Sequence, residues 1–150
     1  MPNNILFENQ SDYEFSLEFK ENLENFLQKM TKNLNISLKQ CELIILNNEA
    51  MQEINKTYRN IDKPTDVLSF PLDSEFCMLY GSILISIDFA KEVSNSLNHS
   101  IEEEIYLLFI HGFLHLVGYD HEKDCGEQRK KEEEFITLFA LPKSLITRNS

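Results

Sequence analysis

Positive charge is what this chain has least of. Its 150 residues carry 14 Lys plus Arg against 25 Asp plus Glu, a formal net charge of −11. A surface of that sign favours solubility and on average repels nucleic acid and membranes, so a polyanionic substrate would need a local basic patch. Cysteine is scarce too. Cys41, Cys77 and Cys125 are widely spaced, with no Cys-x-x-Cys among them. The opening Met1-Pro2-Asn3-Asn4 lacks the basic region and apolar core of a secretory signal. An odd thiol count without an export signal predicts free cysteines in a reducing cytoplasm. No apolar run approaches the length of a membrane span. Repeats, low-complexity segments and interdomain linkers are also missing.

What remains is an ordinary globular composition, with 42% hydrophobic and 11% aromatic residues. The length suits one domain, expected over residues 1–150 with a loose tail after about 142. Ile5 to Phe7 reads as a short strand. From about Ser16 to Leu34, Phe19, Leu23, Phe26, Leu27, Met30 and Leu34 recur at helical spacing. Glu42 to Leu46 is a buried strand, and Asn47 or Asn48 can cap a helix whose core face carries Met51, Ile54 and Tyr58. Val67 to Phe70 and Ser82 to Ser86 are strands close enough for a hairpin-like return. A helix over Asp88 to Leu97 would bury Phe89, Val93 and Leu97.

Ser100 and Glu103 then form a capping box, with Glu102, Glu103 and Glu104 where the helix dipole favours negative charge. That role accounts for the acidic cluster without any chemistry. Ile105 to Val117 is apolar nearly all round, as in a centrally buried helix. A last helix, roughly Glu127 to Ala140, pairs Glu127 with Lys131 on a solvated face. The pattern predicts an α+β fold: a small mixed β-sheet, a central buried metal-binding helix and surrounding helices.

Three of the four histidines fall within eleven residues, His111-Gly-Phe-Leu-His115-Leu-Val-Gly-Tyr-Asp-His121. On a helix, His111 and His115 lie about 40° apart around the axis and one turn along it, where both rings can grip one ion. Gly118 can take the left-handed conformation that ends a helix, letting the chain turn back and offer His121. Three nitrogens on a tetrahedral zinc leave one position for water, the arrangement of a catalytic ion, and lower that water's pKa to about 7. Cys125 is not needed as a ligand, since three histidines and water complete such a site.

The spacing matches the metzincin pattern His-Glu-x-x-His-x-x-Gly-x-x-His except that Gly112 replaces the Glu. That Glu is the proton-shuttling base of peptide hydrolysis, so protease activity is disfavoured. A glycine inside a helix costs ~1 kcal/mol relative to Ala, which points to a need for space. Room for a bulky substrate and close helix packing are both consistent with it.

The histidine motif resembles the signature of the YbeY family of bacterial rRNA maturation endoribonucleases. The stretch Tyr58-Arg59-Asn60-Ile61-Asp62-Lys63-Pro64-Thr65-Asp66-Val67-Leu68-Ser69-Phe70-Pro71 resembles its second hallmark. The resemblance implies one Zn2+ per chain on His111, His115 and His121, with His115 and Arg59 counted as catalytic. It further implies cleavage of single-stranded RNA in small-subunit rRNA maturation, and a part in ribosome quality control. Ribosomal RNA precursor would be the main partner, with ribosomal proteins or assembly factors beside it and no membrane. One departure stands out: Gly81-Ser82 lies where the family usually has Gly-Asp.

A guanidinium suits the implied role of Arg59, since it offers paired donors to phosphate oxygens. Lys56, Arg59 and Lys63 lie within eight residues and form a candidate basic patch; the alternative is an ordinary solvated surface. Asp120 can orient an imidazole or shuttle a proton, or equally be a turn residue, and Asp66, a further candidate near the substrate, could with Thr65 merely form a turn after Pro64. Imidazole ligands suit nickel as well as zinc. The alternative function is a non-catalytic ribosome-assembly factor with a structural zinc.

Overall fold

The computed structural model describes residues 3–72, 78–120 and 125–142. Their order is β1 (Ile5–Asn9), α1 (Phe19–Leu34), β2 (Gln40–Leu46), α2 (Asn48–Arg59), β3 (Val67–Pro71), β4 (Leu79–Ser86), α3 (Ile87–Leu97), α4 (Ile101–Leu116) and α5 (Glu127–Leu138). The expected loose tail falls on residues 143–150, outside the described ones. The strands lie in the order β1-β2-β4-β3. β1 and β4 run parallel to β2, while β3 returns antiparallel to β4. This is the small mixed sheet of an α+β fold.

Alternation along the strands sorts side chains onto two faces. Cys41, Leu43 and Ile45 of β2 and Ile83 and Ile85 of β4 share one core with α1 and α4. Leu46, Leu68 and Leu84 turn to the other face, where Met51 of α2 meets them. Burial of α4 follows from its composition: Ile105 to Ile110, Phe113 and Leu114 leave it no polar face along most of its length.

The three glutamates that open α4 have three structural jobs. Glu103 completes the capping box with Ser100. Glu102 accepts from the Ser16 N–H at 2.8 Å and its hydroxyl at 2.7 Å, tying the segment before α1 to this helix. Glu104 is fully buried, with His99 Nε2 2.8 Å from its Oε1. The fourth histidine is therefore part of the frame.

Two faces differ from expectation. Tyr58 is 70% exposed, and Asn55 takes the inward position on α2. There its amide donates to the Lys63 carbonyl at 2.8 Å, so the face is chosen by the loop that follows rather than by the apolar stripe. On α3 the buried residues are Ile87, Ala90 and Ser94 instead of Phe89, Val93 and Leu97. α3 continues directly from β4, with Ser86 as both last strand residue and N-cap. The strand's direction thus sets which side of the helix meets the core.

Candidate active site

The second half of α4 presents His111 and His115 on one face, as i, i+4 spacing requires. Their Nε2 atoms are 3.2 Å apart and their ring planes meet at 71°. Two nitrogens bound to one tetrahedral zinc at ordinary bond lengths lie about 3.3 Å apart. The pair therefore fits the ion in both chemistry and spacing. Gly118 ends the helix at φ +105°, the left-handed conformation its position called for, with its N–H on the His115 carbonyl at 3.1 Å. His121 lies outside the described residues. Among those described, no group of three or more His, Cys, Asp and Glu side chains is disposed to hold a metal.

A carboxylate from a distant segment fixes one of the rings. Glu132 Oε1 lies 2.5 Å from His111 Nδ1, and Glu132 is only 3% exposed. A carboxylate at Nδ1 takes that nitrogen's proton as its hydrogen-bond donor. The neutral tautomer with its proton on Nδ1 leaves Nε2 with a free lone pair, the form an imidazole needs in order to hold a metal. Gln128, fully buried one turn earlier on α5, donates to Glu132 Oε1 at 3.2 Å and lies 3.4 Å from the His111 carbonyl oxygen. Sequence reasoning missed both residues. It took Glu127 and Lys131 as a pair on a solvated face. Instead Glu127 accepts from the Cys125 N–H at 2.6 Å, and Lys131 reaches Asn33 and Glu134. The available signal was the i, i+4, i+7, i+8 series Gln128, Glu132, Phe135 and Ile136, all buried, in which two polar residues continue an apolar stripe.

The histidines open onto a cleft of about 380 Å³ whose wall also includes Arg59, Asp66, Ser69 and Asp120. β3 is the last strand of the sheet, so its outer side forms one wall. Arg59 is the final residue of α2. Asn60, in the left-handed conformation at φ 58°, turns the chain away from the helix immediately after it. The connection to β3 is pinned at both ends, by Asn55 on the Lys63 carbonyl and by Ser86 N–H on the Asp66 carbonyl at 2.9 Å. Asp66 also accepts from Val67 N–H at 2.8 Å through its side chain. Lys56 and Lys63 are exposed and do not line this cleft. Arg59 supplies its cationic side chain, and forms no ion pair among the described residues.

Gly112 faces the sheet. A Cβ there would stand 2.8 Å from Ile83 Cγ2 and 3.1 Å from Ser69 Oγ, and Ser69 donates to the Gly112 carbonyl at 3.1 Å. Close helix packing explains this glycine. Ser82 alternates with Ile83 and so lies on the other face of the sheet, where it donates to Glu42 Oε1 at 2.6 Å across the β2–β4 pair. A second carboxylate at position 82 would repel Glu42 there, and the serine lies apart from the cleft.

The comparisons with known proteins agree with one another. A family model described as Endoribonuclease YbeY matches residues 5–140. Endoribonuclease YbeY of Aliarcobacter butzleri is 54% identical over 144 residues, covering 93% of this chain and 99% of its own length. Endoribonuclease YbeY of Wolinella succinogenes is 51% identical over 144 residues, covering 96% of each chain. The solution structure of TM1509 from Thermotoga maritima has a TM-score of 0.65 at 29% identity, covering 90% of this chain and 88% of that one.

Proposed function

This chain belongs to the YbeY endoribonuclease family, and from that premise we propose a zinc-dependent endoribonuclease specific for single strands. Its substrate is a ribosomal RNA precursor, cut in maturation of the small-subunit RNA 3′ end, with a further part in ribosome quality control. One observation carries the reading: two imidazole Nε2 atoms 3.2 Å apart face a cleft whose wall also bears Arg59. His111, His115 and His121 are the residues to hold the metal, and nickel suits the same donors. When bound, such an ion supplies Lewis acidity and an acidified water.

The chain's own groups do the rest. Glu132 holds the His111 ring in one orientation and one tautomer. Arg59 directs paired N–H donors at phosphate oxygens and stabilises charge that builds on phosphorus. Asp66 and Asp120 share the same wall, so the guanidinium is the cationic side chain against which a phosphodiester can lie there.

The proposed location is the cytoplasm. No helix among the described residues is long and apolar enough to cross a membrane. The net charge of −11 favours one second reading, an assembly factor that binds basic ribosomal proteins, with zinc only stabilising its fold. Metal content and cleavage of a single-stranded RNA, measured for wild type, His115→Ala and Arg59→Ala, separate the two. The enzyme reading expects Arg59→Ala to lose about 10²-fold or more in rate. Cleavage by His115→Ala equal to wild type would refute it. Loss of fold on chelation, with no turnover beforehand, would favour the assembly factor.

A further inference from the structure

The cleft does not end at His115. A second cavity, of about 600 Å³, shares His115 and Pro71 with the first. Among the described residues its wall bears one cation, Lys39, and no carboxylate, whereas the first cavity sets Asp66 and Asp120 against Arg59. Within that described lining, the sign of charge is the reverse of the chain's net −11.

That lysine is held in place. Its Nζ lies 5.6 Å from the centre of the Tyr80 ring, close enough for a cation–π contact. Tyr80 itself stands edge-on to the buried Phe113 of α4, with centroids 5.3 Å apart, and its hydroxyl donates to the Ser37 carbonyl. Gln40 N–H on the Met78 carbonyl at 2.8 Å ties the start of β2 to the residue before β4. The ammonium is therefore carried on an anchored segment.

We infer that this second cavity is a subsite for the nucleotides flanking the cleaved bond, where Lys39 binds a backbone phosphate of the RNA. The inference rests on the endoribonuclease reading of the first cavity. A strand with one phosphate at Arg59 that passes the metal ligands and continues across His115 and Pro71, which both cavities share, enters the cavity lined by Lys39. Lysine acts as a point charge, so the contact adds affinity without sequence preference. Tyr80 is a positioning residue, since it acts by holding the ammonium.

The test uses the intact metal-loaded protein and a fluorescein-labelled twelve-nucleotide unstructured RNA. KM and kcat come from cleavage, and Kd at several salt concentrations comes from anisotropy with a cleavage-resistant phosphorothioate analogue that keeps every backbone charge. Lys39→Gln should raise KM roughly 5- to 10-fold, with kcat changing less than twofold. It should also flatten the plot of log Kd against log salt by about 0.7, the contribution of one single-strand phosphate. Lys39→Arg should restore both, and Lys20→Gln, which removes a charge elsewhere on the surface, should do neither. If wild type cleaves and Lys39→Gln matches it in KM and salt slope, the subsite is wrong and the nuclease reading stands. If wild type cleaves no faster than His115→Ala, the nuclease reading fails. The anisotropy slope then decides the subsite alone, and an unchanged slope overturns it.

Discussion

Glu132 offers the sharpest test of how this site is built. Its carboxylate lies 2.5 Å from His111 Nδ1 and is almost wholly buried, so water cannot take over the bond when the residue is changed. Glu132→Gln keeps an oxygen that can accept from Nδ1–H and removes the negative charge. Glu132→Ala removes the acceptor as well and frees the ring to turn or change tautomer. Loss of such a partner behind a metal-binding histidine typically weakens metal affinity by about 10- to 100-fold, or ~1.4–2.7 kcal/mol. Burial places Glu132→Ala at the upper end of that range and Glu132→Gln near the lower. Zinc affinity should be measured by competition with a fluorescent chelator, alongside the rise in melting temperature on adding metal. Both variants should fold without metal, because the Phe135 and Ile136 contacts of α5 are untouched. Wild-type zinc affinity in both variants would refute the claim that α5 orients the ligand.

Two further predictions concern the frame. Gly112→Ala would place a methyl 2.8 Å from Ile83 and 3.1 Å from Ser69, an overpacking of about 1–3 kcal/mol set against ~1 kcal/mol gained in helix propensity. A lower melting temperature is expected, and a rise would show that the sheet has room there. Burial pushes the Cys41 thiol up to about 12 from an ordinary 9.0. Because the folded value is the higher one, its stabilisation is complete below pH 9 and is lost as pH climbs towards 12, by ~4 kcal/mol in all. Urea midpoints should therefore fall more steeply between pH 8 and 10.5 in wild type than in Cys41→Ala, and equal slopes would count against it.

Legibility in the sequence followed the range of the interaction. The Ser100–Glu103 box, the left-handed Gly118 and the facing of His111 and His115 were readable because each is settled within one helical turn. The face of α3 was not readable, since the end of β4 aims that helix. Nor was the meaning of Gly112 decided by its own segment. A helix needing room for a ligand and one pressed on a sheet ask for the same residue, and only Ile83 and Ser69 distinguish them. The membership of the cleft was partly visible. Arg59 and Asp66 stood out in a motif, but motif spacing says nothing about which members share a wall, and Lys56 and Lys63 in the same stretch line none of it.

By itself, then, the order of amino acids determined the α+β class, the face of α4 that carries His111 and His115, and the family. Periodicity, capping and i, i+4 spacing are local properties that survive without any knowledge of packing. Tertiary structure alone decided that Glu132 and Gln128 stand behind His111, that Arg59 meets the histidines beside β3, and that Ser82 faces away from them. Such meetings depend on how whole elements dock, which is set by the sum of many apolar contacts across the sheet. No single residue in the chain announces that sum.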